Sequence, residues 1–221
     1  MPNKKIMREE ITGLILAGGR ASRMNGDDKG LLKFRGTPLI QHVKQRLAPQ
    51  VGPLLINANR HLHDYALYAC TVLPDHVLHS NGVQTLIADQ SRTEYAGPLA
   101  GIEAGLSECR TAYMATAPCD SPFLPLDLVE KLSTALLRQQ ADIAVAICKE
   151  MQPDGSFVKR SHPVFSLMKT SVLESLRAYL HANGRKVRTW QATLKVAEVI
   201  FDEQEAFYNI NTLQELHHYE A

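Results

Sequence analysis

The sequence carries almost no net charge, because its 221 residues include 24 Lys and Arg against 23 Asp and Glu. Without a basic or acidic excess, we expect neither nucleic acid nor a membrane as a partner. Long apolar runs are also missing: the run at residues 14–17 is far shorter than the roughly 18 residues of a membrane span. That run follows two glutamates and ends in two glycines, unlike a secretory signal, so we expect a cytoplasmic protein.

Cysteine is scarce and lacks the spacing of a metal site. The four cysteines, at positions 70, 109, 119 and 148, form no CxxC or Cys/His ligand pattern. We interpret them as free thiols, and a chain of this length buries enough surface to fold without disulfides or zinc. The expected organisation is a single domain over residues 1–221, with a flexible N-terminus over residues 1–10.

Short apolar runs alternate with amphipathic stretches along the whole chain. Leu128, Leu132 and Leu136 lie four residues apart on one predicted helix face, and a capping box over residues 212–215 begins a last helix. Such alternation predicts an α/β fold of three layers, with a mainly parallel sheet covered by helices on both faces. Sheets of this kind bind ligands outside the carboxyl ends of their strands. The predicted strands are residues 12–17, 54–58, 84–88, 112–117, 143–148, 163–167 and 195–201.

Two familiar phosphate-binding motifs are missing, the P-loop and the GxGxxG fingerprint. The first predicted strand nevertheless leads into Gly18 and Gly19, where the backbone can turn sharply and bring N–H groups close to an anion. Arg20, Arg23 and Lys29 add three cations within ten residues. This combination suits a triphosphate, and the alternative is a solvated turn with surface charges.

Polar side chains also follow later predicted strands. Asn57 offers a donor and an acceptor for a nucleobase or ribose, although Asn is common in turns for local reasons. Asp89 ends the third predicted strand and Asp120 follows the fourth. A carboxylate facing a phosphate loop on a neighbouring strand would hold Mg²⁺, since magnesium usually takes only one or two protein carboxylates. The alternative for Asp120 is a cap on the turn before Pro122.

These motifs together resemble a known family. Residues 16–30, LAGGRASRMNGDDKG, are similar to the LAGGxxxRMxGxDKG signature of the molybdenum cofactor guanylyltransferase (MobA) family, which belongs to the nucleotidyltransferases of Rossmann-like fold. The resemblance covers most of the chain in order, and its LAGG segment favours the guanylyl branch over related cytidylyltransferases. Further matches are residues 38–43, 57–60, 97–101, 118–122, 162–163, 184–187 and 207–212.

The resemblance implies transfer of GMP from GTP to molybdopterin, with release of pyrophosphate and with Mg²⁺ as cofactor. Catalysis would fall to Lys29, Arg23 and Asp120, with Asp120 also binding the Mg²⁺ ion. The resemblance further suggests transient contacts with other proteins of molybdenum-cofactor assembly, although no residue demonstrates one. The residues that it assigns to the donor nucleotide are Leu16, Ala17, Gly18, Gly19, Lys29, Asn57, Asp89 and Asp120.

The acceptor side rests on fewer residues. The resemblance associates Asn209 and Asn211 with the pterin side of the cleft, and their alternation places both on one side of an extended segment. Arg185, in a basic group with Lys186 and Arg188, is a candidate for the molybdopterin phosphate, and His162 is a candidate for substrate contact. The alternatives are an exposed helix face for the basic group, a structural role for His162 and a helix cap for Asn211.

The sequence departs from the family pattern at two places. Asn25 stands where the family often has Gly, and the segment from residue 60 to 89 is longer than usual. The length makes the acidic match ambiguous between Asp75 and Asp89, and we select Asp89 because it closes an apolar strand just upstream of residues 97–98. Alternative functions are a nucleotidyltransferase using CTP or a sugar-phosphate acceptor, and a non-catalytic GTP-binding accessory protein of cofactor delivery.

Overall fold

A seven-stranded sheet forms the centre of the computed structural model, which describes residues 5–17, 28–68, 70–78, 84–86, 97–152 and 154–220. The strands of the described residues are β1 (Ile11–Leu16), β2 (Lys33–Phe34), β3 (Thr37–Pro38), β4 (Leu54–Asn57), β5 (Thr71–Leu73), β6 (His76–Leu78), β7 (Gln84–Leu86), β8 (Tyr113–Pro118), β9 (Ile143–Met151), β10 (Phe157–Lys169) and β11 (Val196–Phe201). The α-helices are α1 (Leu39–Leu47), α2 (Leu62–Ala66), α3 (Pro98–Glu108), α4 (Leu128–Arg138), α5 (Leu173–His181), α6 (Val187–Gln191) and α7 (Leu213–Glu220).

The strand order in the main sheet is β11-β9-β10-β8-β1-β4-β5. The pairs β11–β9, β8–β1, β1–β4 and β4–β5 are parallel, whereas β10 is antiparallel to both of its neighbours. Because β1, β4, β5 and β8 run side by side in one direction, their carboxyl ends meet at one edge of the sheet. The sheet is therefore mainly parallel, as predicted.

Helices cover both faces of this sheet, which confirms the three-layer α/β prediction. Residues of β1 alternate between the two sides, because successive strand side chains point to opposite faces. Ile11 and Ile15 pack with α1 and α4, whereas Leu14 and Leu16 pack with α3, α5 and α6. No helix among the described residues is both long and apolar enough to span a bilayer.

The third predicted strand is not part of the main sheet. Residues Gln84–Leu86 are extended, but they pair antiparallel with β6 in a separate two-stranded ribbon. The edge of the main sheet is instead β5, a three-residue strand whose side chains are exposed or half-buried. Such a short edge strand has no continuous apolar run, so the pattern that revealed the buried strands could not reveal it.

The N-terminal segment is also different from the expectation of a flexible stretch over residues 1–10. The Ile6 side chain is buried in the main core, and residues Arg8–Glu10 form a 3₁₀ turn leading into β1. Residues 1–4 lie outside the described part of the chain. Burial of Ile6 fixes the segment that precedes β1, so residues 6–10 belong to the packed domain.

A shift in register interrupts the pairing of β10 with β9 near the carboxyl ends of the parallel strands. His162 pairs with Ala146 and Ser166 pairs with Val145, so Pro163, Val164 and Phe165 have no partners on β9. Proline suits this position because it has no N–H group to give to the ladder. Bulges re-aim side chains next to functional sites, and this one turns a stretch of β10 toward the cleft described below.

Candidate active site at the carboxyl ends of the parallel strands

The strand register brings the ends of β1, β4 and β8 together. Leu16 is aligned with Asn57 on one side and with Pro118 on the other. Beyond the strands, the Ala17 N–H donates to the Asn57 carbonyl at 2.7 Å, and the Cys119 N–H donates to the Leu16 carbonyl at 3.0 Å. Leu16 and Ala17, which precede Gly18 in the chain, therefore lie between Asn57 and the turn that carries Asp120.

Several predicted donor-site residues fall outside the described residues. Gly18, Gly19 and Arg23 belong to residues 18–27, and Asp89 belongs to residues 87–96. Their assigned roles therefore stay predictions. The described residues that bracket the first of these segments, Ala17 and residue 28 onward, both lie at the edge where the parallel strands end.

Asp120 and Lys29 meet at this edge. The Asp120 side chain is buried, with 6% of the residue exposed, and its Oδ2 atom lies 3.4 Å from the Lys29 Nζ. Lys29 also donates to the Oδ1 atom of Asn211 at 2.7 Å. Burial raises the pKa of the Asp120 carboxyl above its usual value, and the charge of Lys29 opposes this effect. Among the described side chains, Lys29 is the one that pairs with this carboxylate.

The Asp120 carboxylate is suited to a magnesium ion that is also bound to a triphosphate. The described residues contain no group of three or more His, Cys, Asp or Glu side chains able to hold a metal. Magnesium does not need such a group when phosphate oxygens and water complete its shell, because one or two carboxylates then suffice. The buried Asp120 carboxylate, with one cation 3.4 Å away, is a suitable protein ligand for such an ion.

A second buried carboxylate, Asp75, holds the side chains that follow β4. The Nδ2 atoms of Asn57 and Asn59 donate to its Oδ1 and Oδ2 atoms at 2.8 and 2.7 Å. The backbone N–H of Asp75 donates back to the Asn59 Oδ1 at 2.8 Å. The sequence pattern favours Asp89 for the nucleoside side, whereas the structure joins Asp75 to Asn57. Asp75 lies two residues beyond the end of β5. If β5 had been predicted from the sequence, Asp75 would have been recognised as a polar residue at the end of a strand.

A cleft of about 490 Å³ adjoins the Asp120 edge on the side of β10. His162 stacks on Phe207 with ring centroids 4.7 Å apart, and Phe165 packs edge-on against Phe207. Burial lowers the pKa of His162 to about 4, and the charge of Arg160 adds to the effect. His162 is therefore a neutral ring at pH 7. The lining residues are Pro118, Arg160, Ser161, His162, Pro163, Val164, Phe165, Phe207, Tyr208, Asn209, Asn211, Glu215 and Tyr219.

The C-terminal segment connects the cleft to Asp120. The Ser121 hydroxyl donates to the Asn209 Oδ1 at 2.8 Å, and the Ile210 N–H donates to the Asp120 carbonyl at 2.8 Å. The predicted capping box is confirmed, because the Thr212 N–H donates to Glu215 Oε2 at 3.1 Å and the Glu215 N–H donates to Thr212 Oγ1 at 3.1 Å. The predicted pterin-side residue Asn209 thus contacts Ser121 in the turn that carries Asp120, whereas Asn211 contacts Lys29.

Arg185 does not lie with the other predicted acceptor-side residues. Its guanidinium donates to the carbonyls of Leu180 and Gly184, at 3.3 and 2.9 Å, at the C-terminal end of α5. A guanidinium at that position is favourable because the last helical carbonyls lack partners. The basic side chains near His162 are instead Arg160, which lines the cleft, and Arg188, which donates to the Ser161 carbonyl at 3.2 Å.

Comparison with known proteins identifies the family. A family model for the MobA-like NTP transferase domain matches residues 13–197. The chain belongs to the MobA-like NTP transferase family. Its resemblance to that family, and its expected activity as a nucleotidyltransferase, are confirmed by relatives that match nearly its whole length.

Two relatives of this MobA-like transferase are molybdenum cofactor guanylyltransferases of Cupriavidus taiwanensis and Cupriavidus necator. Each is 49% identical to it over 216 residues, covering 98% of this chain and 99% of the relative. A solved structure, molybdopterin-guanine dinucleotide biosynthesis protein A from Archaeoglobus fulgidus, matches with a TM-score of 0.68 and 20% identity. The match covers 95% of this chain and 96% of that one, and it confirms the Rossmann-like nucleotidyltransferase fold.

Proposed function

We propose that this MobA-like transferase moves GMP from GTP to molybdopterin, in its molybdenum-loaded form, and releases pyrophosphate. The product would be the guanine dinucleotide form of the molybdenum cofactor. The observation that carries the proposal is the contact of Lys29 with the buried Asp120 at the joined ends of β1 and β8. It occurs in a chain 49% identical to proteins named molybdenum cofactor guanylyltransferase.

The donor nucleotide would lie across the carboxyl ends of β1, β4 and β8. The backbone of Leu16, Ala17, Gly18 and Gly19 would contact it, and Lys29 and Asp120 would meet its phosphates. Asn57 would contact the nucleoside together with an acidic residue, for which Asp75 is supported by its bonds to Asn57 and Asp89 by the sequence pattern. Support for this arrangement comes from the register that aligns Leu16 with Asn57 and Pro118.

The reaction needs no strong general base. The acceptor phosphate is a monoester with a second pKa of about 6, so it is mostly a dianion at neutral pH. One of its oxygens attacks the α-phosphorus of GTP, the bond from that phosphorus to the bridging oxygen breaks, and pyrophosphate leaves with the electron pair. Catalysis then consists of bringing two polyanions together and stabilising the charge that develops on the leaving group.

Cationic side chains of the donor loop would provide that stabilisation. Lys29 contacts Asp120, and Arg20 and Arg23 precede it by nine and six residues in the sequence. Asp120 is the residue that would hold Mg²⁺, with the triphosphate supplying further oxygens. When bound there, the ion supplies Lewis-acid stabilisation of phosphate charge.

The acceptor would occupy the cleft beside β10. Asn209 and Asn211 border both the cleft and the Asp120 turn, and His162 offers a neutral aromatic face backed by Phe207. Arg160 and Arg188 are the basic residues nearest to His162, so they suit the anionic groups of the acceptor better than Arg185 does. Transient contacts with cofactor-assembly proteins, and a cytoplasmic location that would keep the four free thiols reduced, complete the proposal.

The test is incubation of the protein with Mg²⁺, molybdopterin and each α-labelled nucleoside triphosphate in turn. Label should move to molybdopterin from GTP, with one pyrophosphate released per label transferred. Preference for CTP, or transfer to a sugar phosphate in place of molybdopterin, would replace the proposed substrates. Binding of GTP with no transfer would indicate an accessory protein of cofactor delivery.

A further inference from the structure

A buried carboxylate lies immediately before Lys29 in the chain. Asp28, with 7% of the residue exposed, is the N-cap of the 3₁₀ turn Lys29–Leu31, and its Oδ1 accepts from the Gly30 N–H at 3.3 Å. The same Oδ1 accepts a hydrogen bond from the hydroxyl of Tyr65. The Nη2 atom of Arg60 lies 3.8 Å from the other oxygen, beyond hydrogen-bond distance. Among the described side chains, the Tyr65 hydroxyl is the one within hydrogen-bond distance of Asp28, and Arg60 adds an ion pair.

The surroundings of Tyr65 hold its hydroxyl in place as a hydrogen-bond donor to Asp28. It is fully buried, in the short helix α2 and in the core cluster that includes β1 and α1. Burial raises the pKa of Tyr65 far above its usual value, so the hydroxyl keeps its proton and stays a donor. A buried hydroxyl and a buried carboxylate that bond to each other satisfy two groups that would otherwise be costly to bury.

The same hydroxyl also packs against the turn itself. A Cβ atom added to Gly30 would overlap the Tyr65 hydroxyl oxygen and would come within 3.3 Å of the Cys119 Sγ. Tyr65 therefore packs against the backbone at Gly30 so closely that a residue with a side chain would not fit there. The turn is held from behind by direct packing and by the bond to Asp28.

Lys29 is the first residue of this turn, and its side chain contacts residues other than Tyr65. Its Nζ lies 2.7 Å from Asn211 Oδ1 and 3.4 Å from Asp120 Oδ2. A lysine side chain has four rotatable bonds, so the position of its ammonium group depends on a fixed backbone. The Tyr65 hydroxyl bonds to Asp28, and Asp28 is the residue immediately before Lys29. Tyr65 is therefore connected to Lys29 through the Asp28 side chain and the backbone of the 3₁₀ turn.

We infer that Tyr65 is a positioning residue for the transferase reaction, acting through Asp28 to hold Lys29 against the phosphates of the donor nucleotide. The inference rests on the proposed function only in taking Lys29 as the cation that meets those phosphates. It assigns Tyr65 no contact with substrate.

The test is a double-mutant cycle of Tyr65→Phe and Lys29→Ala, measured both as the kcat and KM of GMP transfer and as the Kd of GTP by calorimetry. Misplacement of a positioning group costs about 10- to 100-fold, so Tyr65→Phe should lower kcat/KM by that factor and should weaken the binding of GTP, measured as a higher Kd. In the Lys29→Ala background, Tyr65→Phe should change kcat/KM and Kd by less than about twofold, because residues acting through one another are not additive. The matched control is Tyr179→Phe, which also removes one hydroxyl donor but lies in α5, and it should leave the kinetics unchanged.

Thermal unfolding separates positioning from simple loss of stability. Tyr65→Phe should lower the Tm equally in both backgrounds, while its kinetic effect disappears in one of them. Equal kinetic losses in both backgrounds, or no kinetic loss in the wild-type background, would overturn the inference and leave the proposed function intact. If the wild-type protein transfers no GMP, the proposed function fails, and the Kd of GTP still decides the inference through the same cycle.

Discussion

Lys29 and Asp120 are 91 residues apart in the chain, yet the Lys29 Nζ lies 3.4 Å from the Asp120 Oδ2. The contact joins the end of the loop after β1 to the turn after β8, and the bond from Lys29 to Asn211 adds the segment before α7. One ammonium group thus connects the donor side of the site to the residues that border the acceptor cleft.

Replacing Asp120 by Asn should reduce GMP transfer by about 10²–10³-fold, the usual cost of one preorganised electrostatic group. The reason is the loss of the buried carboxylate that would hold Mg²⁺ and that faces Lys29. The initial rate of pyrophosphate release measures the effect. Asp127→Asn, which removes an exposed carboxylate paired with Lys131, is the matched control and should be nearly silent. Near-normal transfer by Asp120→Asn would remove Asp120 from the catalytic set.

Substitutions at Asp75 and Asp89 distinguish the two acidic candidates for the nucleoside side. Asp75→Asn turns one bond between Asn57 and a carboxylate into a contact between amides, so we expect the KM for GTP to rise about tenfold. The measurement is the KM for GTP of Asp75→Asn and Asp89→Asn, with Tm values to exclude unfolding. A rise confined to Asp89→Asn would instead support the assignment made from the sequence pattern.

The pH dependence of stability should reveal the neutral state of His162. Burial lowers its pKa from the ordinary 6.5 to about 4, so between these values the unfolded chain binds a proton that the folded chain does not. The wild type should therefore lose stability relative to His162→Phe, which keeps an aromatic stack on Phe207, as the pH falls from 6.5 toward 4. Tm values of the two proteins across this window measure the trend. A constant Tm difference from pH 7 to 4 would contradict the assignment.

Gly30→Ala should be destabilising, because its Cβ would overlap the Tyr65 hydroxyl oxygen. Overpacking of this kind costs about 1–3 kcal/mol of unfolding free energy. Tyr65→Phe removes the overlapping atom, so Gly30→Ala should cost less in the Tyr65→Phe background than in the wild type. Denaturant unfolding of the wild type, the two single variants and the double variant measures this coupling. Equal costs of Gly30→Ala in both backgrounds would show that the added Cβ does not contact the Tyr65 hydroxyl.

Arg185 and Arg188 should differ in their effects on the binding of molybdopterin. Arg188→Gln should raise the KM for molybdopterin about tenfold, since Arg188 donates to the carbonyl of Ser161, which lines the proposed acceptor cleft. Arg185→Gln should leave that KM unchanged and lower the unfolding free energy by about 1 kcal/mol, because Arg185 donates to carbonyls at the end of α5. The opposite pattern would restore Arg185 as the acceptor-side cation predicted from the sequence.

Much of the fold could be predicted because buried strands and helix faces leave apolar patterns. The strands at Ile11–Leu16 and Ile143–Met151, and the helix at Leu128–Arg138, are examples. The antiparallel direction of β10 could not be predicted, since alternation of side chains does not encode strand direction. The edge strand β5 was missed because three partly exposed residues carry too little pattern.

The sequence could place polar residues where a strong strand ends, as at Asn57, or just beyond one, as at Asp120. The pairing of Asp75 with Asn57 depends on the register that aligns Asn57 with Leu73 in β5, so it could not be read without that strand. The support of Lys29 by Tyr65 depends on packing between segments far apart in the chain, which sequence spacing does not reveal. Arg185 carries the expected charge, but its Nη1 atom donates to the carbonyls of Leu180 and Gly184.

The central claim is tested most directly by supplying wild-type protein and Asp120→Asn with α-labelled GTP, Mg²⁺ and molybdopterin, and by following label and pyrophosphate together. We expect the wild type to transfer label to molybdopterin with stoichiometric pyrophosphate, and Asp120→Asn to be slower by about 10²–10³-fold. Label that stays on GTP with the wild type, or that moves equally fast with both proteins, would contradict the account.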